Sequence, residues 1–131
     1  MAGSVKGLTN RAHAWRDILG IPVAVMTLDE ALALLELQLA ARHHTPVAFL
    51  NANNANIAND KPELKKAFGH FLTLADGVGV DMASKVLHGS MFPENLNGTD
   101  LVPELLRNVG RPLKVGLVGA RKEVAEQALK G

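Results

Sequence analysis

Asp76 stands directly behind the apolar run Phe71-Leu-Thr-Leu-Ala75 and directly ahead of Gly77-Val-Gly79. A carboxylate at the end of a buried strand lies at a sheet rim, where it can take a proton from a bound hydroxyl. Asp also caps the helix that follows such a strand, and the two roles are compatible. A second apolar run, Pro46-Val-Ala-Phe-Leu50, breaks into Asn51-Ala-Asn53-Asn54, with Asn56 beyond. Side-chain amides donate and accept, which suits sugar hydroxyls; Asn is equally a residue of turns and helix caps. A third junction, Leu113–Val118 followed by Gly119-Ala120, offers a glycine where a diphosphate can approach backbone N–H groups, or simply a tight turn. Asn97-Gly98-Thr99-Asp100 has the spacing of a capping box.

Other chemistries are excluded by what the same residues lack. Gly77-x-Gly79 begins like a dinucleotide fingerprint, but Met82 occupies the place of the third glycine, so a nicotinamide cofactor is not expected. The five histidines contain no His-x-x-x-His or His-Glu pattern, and no metal site is expected from them. His43 and His44 are placed to complement the negative end of the helix before them. With no cysteine in the chain, thiolate zinc sites, disulfides and cysteine nucleophiles are ruled out.

The elements that must position these residues follow from pattern. Ile18–Met26 reads as one extended run, with Pro22 favouring an edge. Thr27-Leu-Asp-Glu30 is a capping box opening a helix that carries Leu28, Leu32, Leu35 and Leu39 on one face and stops before Pro46. Strands are expected at 46–51, 71–75 and 113–118, and helices at 53–59, 64–68, 80–87, 97–109 and 121–130. Short apolar strands alternating with helices predict an α/β fold, a mainly parallel sheet with helices on both faces. In such sheets ligands bind outside the carboxyl ends of the strands, which would gather the loops at Asn51, Asp76 and Gly119 on one edge.

At 131 residues, 47% hydrophobic and 21% charged, the chain suits one folded domain. Residues 1–16 read as a flexible arm and 17–131 as the domain. A net charge of +1 provides no bulk field to attract nucleic acid. No apolar run reaches the roughly 18 residues of a membrane span, and no apolar stretch follows the N-terminal basic residues as in a secretory signal, so cytoplasmic residence is expected.

The ordered set Ile21-Pro22-Val23, Thr27-x-Asp29-Glu30-Ala31, Leu50-Asn51-Ala52, Pro62-Glu63-Leu64, Ala75-Asp76-Gly77-Val78-Gly79, Asn97-Gly98-Thr99-Asp100-Leu101 and Val118-Gly119 resembles the WecG/TagA/CpsF glycosyltransferases from about residue 17 onward. The resemblance implies a Rossmann-like fold and a bacterial enzyme of surface-polysaccharide or teichoic-acid synthesis. Such an enzyme moves N-acetylmannosamine or a related sugar from a UDP donor to an undecaprenyl-diphosphate-linked acceptor, inverting the anomeric centre without metal or cofactor. It implies Asp76 as the general base with Asn51 beside it. Asn53, Gly77, Val78, Gly79, Asn97, Gly98, Thr99, Asp100 and Gly119 are implied to hold donor or acceptor.

Two departures qualify the likeness. Phe49 stands where many members carry Thr, so no hydroxyl is assigned there. The family's chains also run on past the point where this one stops, which implies a domain truncated after its fourth strand and the following helix. The part beyond is where peripheral membrane contact is expected. An unfinished sheet exposes a strand edge, and twofold self-association is the expected consequence.

Overall fold

The computed structural model describes residues 14–119 and 121–130. Expectations on residues 1–13 and on Ala120 lie outside the described residues. The expected single extended run is instead a hairpin: β1 (Trp15–Ile18) and β2 (Ile21–Ala24) pair antiparallel. Leu19 and Gly20 both have positive φ, 53° and 88°, as a two-residue turn of the twist-matched kind requires. The Asp17 carboxylate accepts from Gly20 N–H at 2.8 Å and closes the turn. Trp15 and Arg16 thus belong to the sheet rather than to an N-terminal arm.

β2 leads through Val25 and Met26 to α1 (Leu28–Ala40), opened by the expected box: Thr27 Oγ1 accepts from Glu30 N–H and Glu30 accepts from Thr27 N–H. β3 (Val47–Leu50), α2 (Ala52–Asp60), α3 (Pro62–Phe68), β4 (Leu72–Ala75), α4 (Val78–His88), α5 (Gly98–Asn108) and α6 (Lys122–Lys130) follow. His43 and His44 lie beyond the end of α1, whose last turn holds no basic residue; the chain has already turned away at Arg42, φ 55°.

The sheet runs β1-β2-β4-β3, with β2, β4 and β3 parallel and β1 antiparallel. This is an α/β fold on a mixed sheet. Pro22 is consequently on an interior strand, not at an edge. The pair beside a two-residue turn, Ile18 with Ile21, exchanges the ladder bonds, so Asp17 with Pro22 is a non-bonded pair and the missing N–H costs β1 nothing. Towards β4 the register pairs Ala24 with Leu74, beyond the proline.

Side-chain alternation along the strands sends two cores to opposite faces. On one face Ala24, Leu72 and Leu74, with Val47 and Phe49, meet Leu32 and Leu35 of α1 and Leu101 and Leu105 of α5. On the other, Ile21, Val23, Leu50 and Ala75 meet Ala55 and Ala58 of α2, Phe68 of α3 and Val80 of α4. Thr73, buried on the second face, donates its hydroxyl to Phe68 O. Helices therefore cover both faces, as expected.

The fourth expected strand is not formed. Leu113–Val118 has no ladder partner among the described residues, and Val115, Leu117 and Val118 are exposed. An apolar run becomes a strand only where a neighbour satisfies its backbone and covers its side chains, and neither is in place here.

Candidate functional site

The parallel strands β2, β3 and β4 point their carboxyl ends the same way, and the loops and helix starts that follow collect there. Leu50 is in register with Ala75, so Asn51 and Asp76 leave the sheet side by side, tied by Asp76 N–H donating to Leu50 O at 2.9 Å. The loop before α5 closes over the same edge: Leu96 N–H donates to Ala75 O at 2.7 Å, and Asn95 Oδ1 accepts from Gly77 N–H at 2.9 Å.

Asn51 is the N-cap of α2. Its Oδ1 accepts from Asn54 N–H at 2.9 Å, and Asn54 Oδ1 accepts from Asn51 N–H at 2.8 Å. Asn54 Nδ2 then donates to Phe49 O. The cap reading is therefore the observed one for Asn51 and Asn54, while the Asn51 side-chain NH₂ has no partner among the described residues.

Asp76 is not a cap. The N-cap position of α4 is Gly77, and no side chain caps that helix. Gly77 sits at φ 103°, ψ 164°, a region that essentially only glycine enters, and this bend turns the chain into α4 one residue after Asp76. The half-buried Asp76 carboxylate accepts no hydrogen bond among the described residues. Beside it the N–H groups of Val78 and Gly79, in the uncapped first turn, carry the positive end of the helix dipole.

Gly79 brings a second helix start alongside. A Cβ there would lie 2.6 Å from Ala52 Cβ, so only glycine lets α4 approach the first turn of α2 so closely. Gly98 does the same for α5, where a Cβ would sit 3.2 Å from the Phe49 ring. Phe49 thus seats a helix start on the sheet. Asn97 caps α5 by accepting from Asp100 N–H at 2.9 Å, and its Nδ2 donates to Asp100 Oδ2. The N-cap half of the expected box forms, but Asp100 accepts from the Asn97 side chain and not from its backbone N–H, so the reciprocal half does not.

The edge thus holds Asn51, Asp76, Gly77, Val78 and Gly79 together, with Asn97 and Gly98 at the start of α5. Asn53 and Thr99 are exposed on the outer sides of their helix starts. Gly119, with φ 106°, follows the unpaired segment, and no hydrogen bond ties it to this edge among the described residues. Three contributors escaped the sequence reading. Asn95 holds the Gly77 bend. Glu94 accepts from Leu28 N–H at the start of α1. Arg16 Nη1 donates to buried Ser84 Oγ and to the Ser90 and Met91 carbonyls, pinning the loop that carries Asn95. All three act across long sequence separations, and nothing in their local pattern marks them.

Among the described residues no three His, Asp or Glu side chains are grouped to hold a metal ion, and no helix is long and apolar enough to cross a membrane. A carboxylate and a side-chain amide without partners among the described residues, together with several helix starts, suit deprotonation of a hydroxyl next to a bound anion. Compared with curated proteins the chain gives no match. Compared with protein families, residues 16–131 match the one described as the glycosyl transferase WecG/TagA/CpsF family. With the match spanning the sheet from Arg16 onward and every residue of the carboxyl edge, the chain belongs to the WecG/TagA/CpsF glycosyltransferase family.

Proposed function

We propose that the protein transfers N-acetylmannosamine or a related sugar from a UDP donor to an undecaprenyl-diphosphate-linked acceptor, with inversion, at the cytoplasmic face of a bacterial membrane. The observation that carries this reading is the Asp76 carboxylate, half-buried and, among the described residues, without a hydrogen-bond partner, at the edge where the helix starts meet and where Asn51 leaves the adjacent strand with its side-chain NH₂ unpartnered among the same residues.

In the proposed step the acceptor hydroxyl oxygen attacks the donor anomeric carbon from the face opposite the nucleotide. The C–O bond to UDP breaks, its electron pair leaves with the β-phosphate, and the hydroxyl proton passes to Asp76. The Asn51 NH₂ orients the acceptor oxygen. Negative charge growing on the departing diphosphate is met by N–H groups at the starts of α2 and α4, which are fixed before the reaction and need no reorganisation during it. These helix starts supply positive potential without a metal ion. Asn53, Asn97, Gly98, Thr99 and Asp100 flank the sugar and diphosphate in this reading, and Gly119 contributes its backbone N–H to the donor in a Rossmann-like arrangement.

Product formation from UDP-N-acetylmannosamine and a short-chain lipid-diphosphate acceptor tests the reading. A disaccharide-diphosphate product with inverted anomeric configuration is expected from the protein. Binding of the sugar nucleotide with no product in any form would make the domain a non-catalytic binding module.

A further inference from the structure

The segment from Phe92 to Leu96 crosses the sheet. Phe92 belongs to the core formed with Ile21, Val23 and Val80 on one face, and Leu96 to the core formed with Ala24, Leu32 and Leu101 on the other. The exposed Pro93, Glu94 and Asn95 between them therefore pass over the carboxyl edge as a strap. Phe92 N–H donates to Asp81 Oδ1 of α4 at 3.3 Å, and Glu94 Oε1 accepts from Leu28 N–H at the start of α1 at 3.1 Å. The next two contacts bracket Asp76. Leu96 N–H donates to Ala75 O at 2.7 Å and Asn95 Oδ1 accepts from Gly77 N–H at 2.9 Å, so consecutive strap residues hold the peptide on either side of the Asp76 Cα. With both planar peptides held, the φ and ψ of Asp76 are fixed, and with them the direction of its side chain.

The other end of the strap is held by one side chain. Arg16 is fixed in the hairpin opposite Val23, and alternation puts it on the same side of β1 as Ile18, a member of the Phe92 core. Its Nη1 donates to Met91 O at 2.9 Å, to Ser90 O at 3.3 Å and to Ser84 Oγ at 3.0 Å. The guanidinium carbon lies 5.3 Å from the centre of the Phe92 ring. The fully buried Ser84 hydroxyl completes the arrangement by donating to Ser90 O at 2.7 Å. Among the described residues Arg16 pairs with no carboxylate. Its charge acts instead on the carbonyls and the ring of residues 90–92, and hydrogen bonds from a charged donor are the stronger kind.

We propose that Arg16 is a positioning residue for Asp76. By gripping residues 90–92 it sets where the strap enters the carboxyl edge, and Asn95 and Leu96 pass that setting to the two peptides that aim the carboxylate. Gly77 needs such a hold, because a residue without Cβ keeps no bend by itself. An error of about 1 Å in the placement of a reacting group can cost on the order of 100-fold in rate, so a side chain remote from Asp76 in sequence can govern turnover without touching substrate. That Asp76 acts on a substrate hydroxyl rests on the glycosyltransferase reading; the coupling from Arg16 to Asp76 does not.

Amide hydrogen exchange of the whole chain tests the coupling without an assay of activity. Arg16→Met keeps an apolar stem and removes every donor. It should speed exchange of the Gly77 and Leu96 amides about 10-fold and leave the Leu72 amide, bonded to Pro46 O at the other end of β4, unchanged. In an Asn95→Ala chain the Gly77 amide is already released, so adding Arg16→Met should change its rate by no more than about twofold. Arg16→Lys, with donors but no planar fork, should fall between Arg16→Met and the parent, and it carries the same test if Arg16→Met does not fold. Unchanged Gly77 and Leu96 rates overturn the proposal. So does an equal rise at Leu72, which would make Arg16 a support of the whole fold, or a full 10-fold rise in the Asn95→Ala chain. With UDP-N-acetylmannosamine as donor, Arg16→Met should lower kcat about 10-fold and leave KM for the donor within about twofold; an unchanged kcat also overturns the proposal. A parent that forms no product contradicts the glycosyltransferase reading instead, and the exchange rates still decide the coupling.

Discussion

Asn51 and Asp76 leave adjacent strands at the same level of the sheet, and their side chains meet opposite fates. Asn51 is drawn into a reciprocal cap with Asn54, and its carbonyl oxygen is occupied. Asp76, of a type that caps helices well, is passed over: the cap position falls to Gly77, and the Gly77 N–H is satisfied from a distance by Asn95. A polar residue at a strand end becomes a candidate for chemistry when the fold leaves its functional atoms unused. By that criterion Asp76 qualifies fully and Asn51 only through its NH₂.

The comparison can be broken in graded steps. Gly79→Ala places a methyl 2.6 Å from Ala52 Cβ and must push the starts of α2 and α4 apart. Overpacking of this kind costs about 1 to 3 kcal/mol, read as a lower urea midpoint at unchanged slope, and Ala52→Gly in the same chain should restore most of it. Asn51→Ala removes the α2 cap at about 1 kcal/mol. Asn51→Asp keeps the cap oxygen and should stay within about 0.5 kcal/mol of the parent. It should still lower turnover, because a carboxylate cannot donate to the acceptor and stands beside Asp76. Equal turnover in Asn51→Asp and the parent would reduce Asn51 to a cap. Asn95→Ala, which removes one partly exposed bond to the Gly77 bend, should have the smallest effect, about 0.5 to 1 kcal/mol, in the same unfolding experiment.

What was legible in the sequence was what is local. The Thr27–Glu30 and Asn97–Asp100 caps need only three residues' separation, and both form. The abrupt end of an apolar run at Asn51 and at Asp76 marks the carboxyl edge correctly. What was illegible depends on partners far along the chain. Leu19 at positive φ conceals a hairpin turn that Asn or Gly would announce, so the pattern shows one run from Ile18 and leaves Trp15 and Arg16 to the arm. Pro22 looks like an edge residue until the hairpin register shows that its N–H was not needed. Arg16 reads as one more basic residue near the N-terminus, yet it holds Ser84 and the Ser90–Met91 carbonyls. Leu113–Val118 has the composition of a strand and no ladder, because strand formation depends on a neighbour as much as on pattern.

The central claim is that Asp76 acts on substrate and does not hold the fold. Asp76→Asn in the protein separates the two, because the change removes the base and keeps the shape. Measured side by side, product formation should fall by about 100-fold or more, the range for loss of a general base, while the urea midpoint stays where it was. Undiminished product formation, or a loss matched by an equally large drop in the midpoint, would contradict the account.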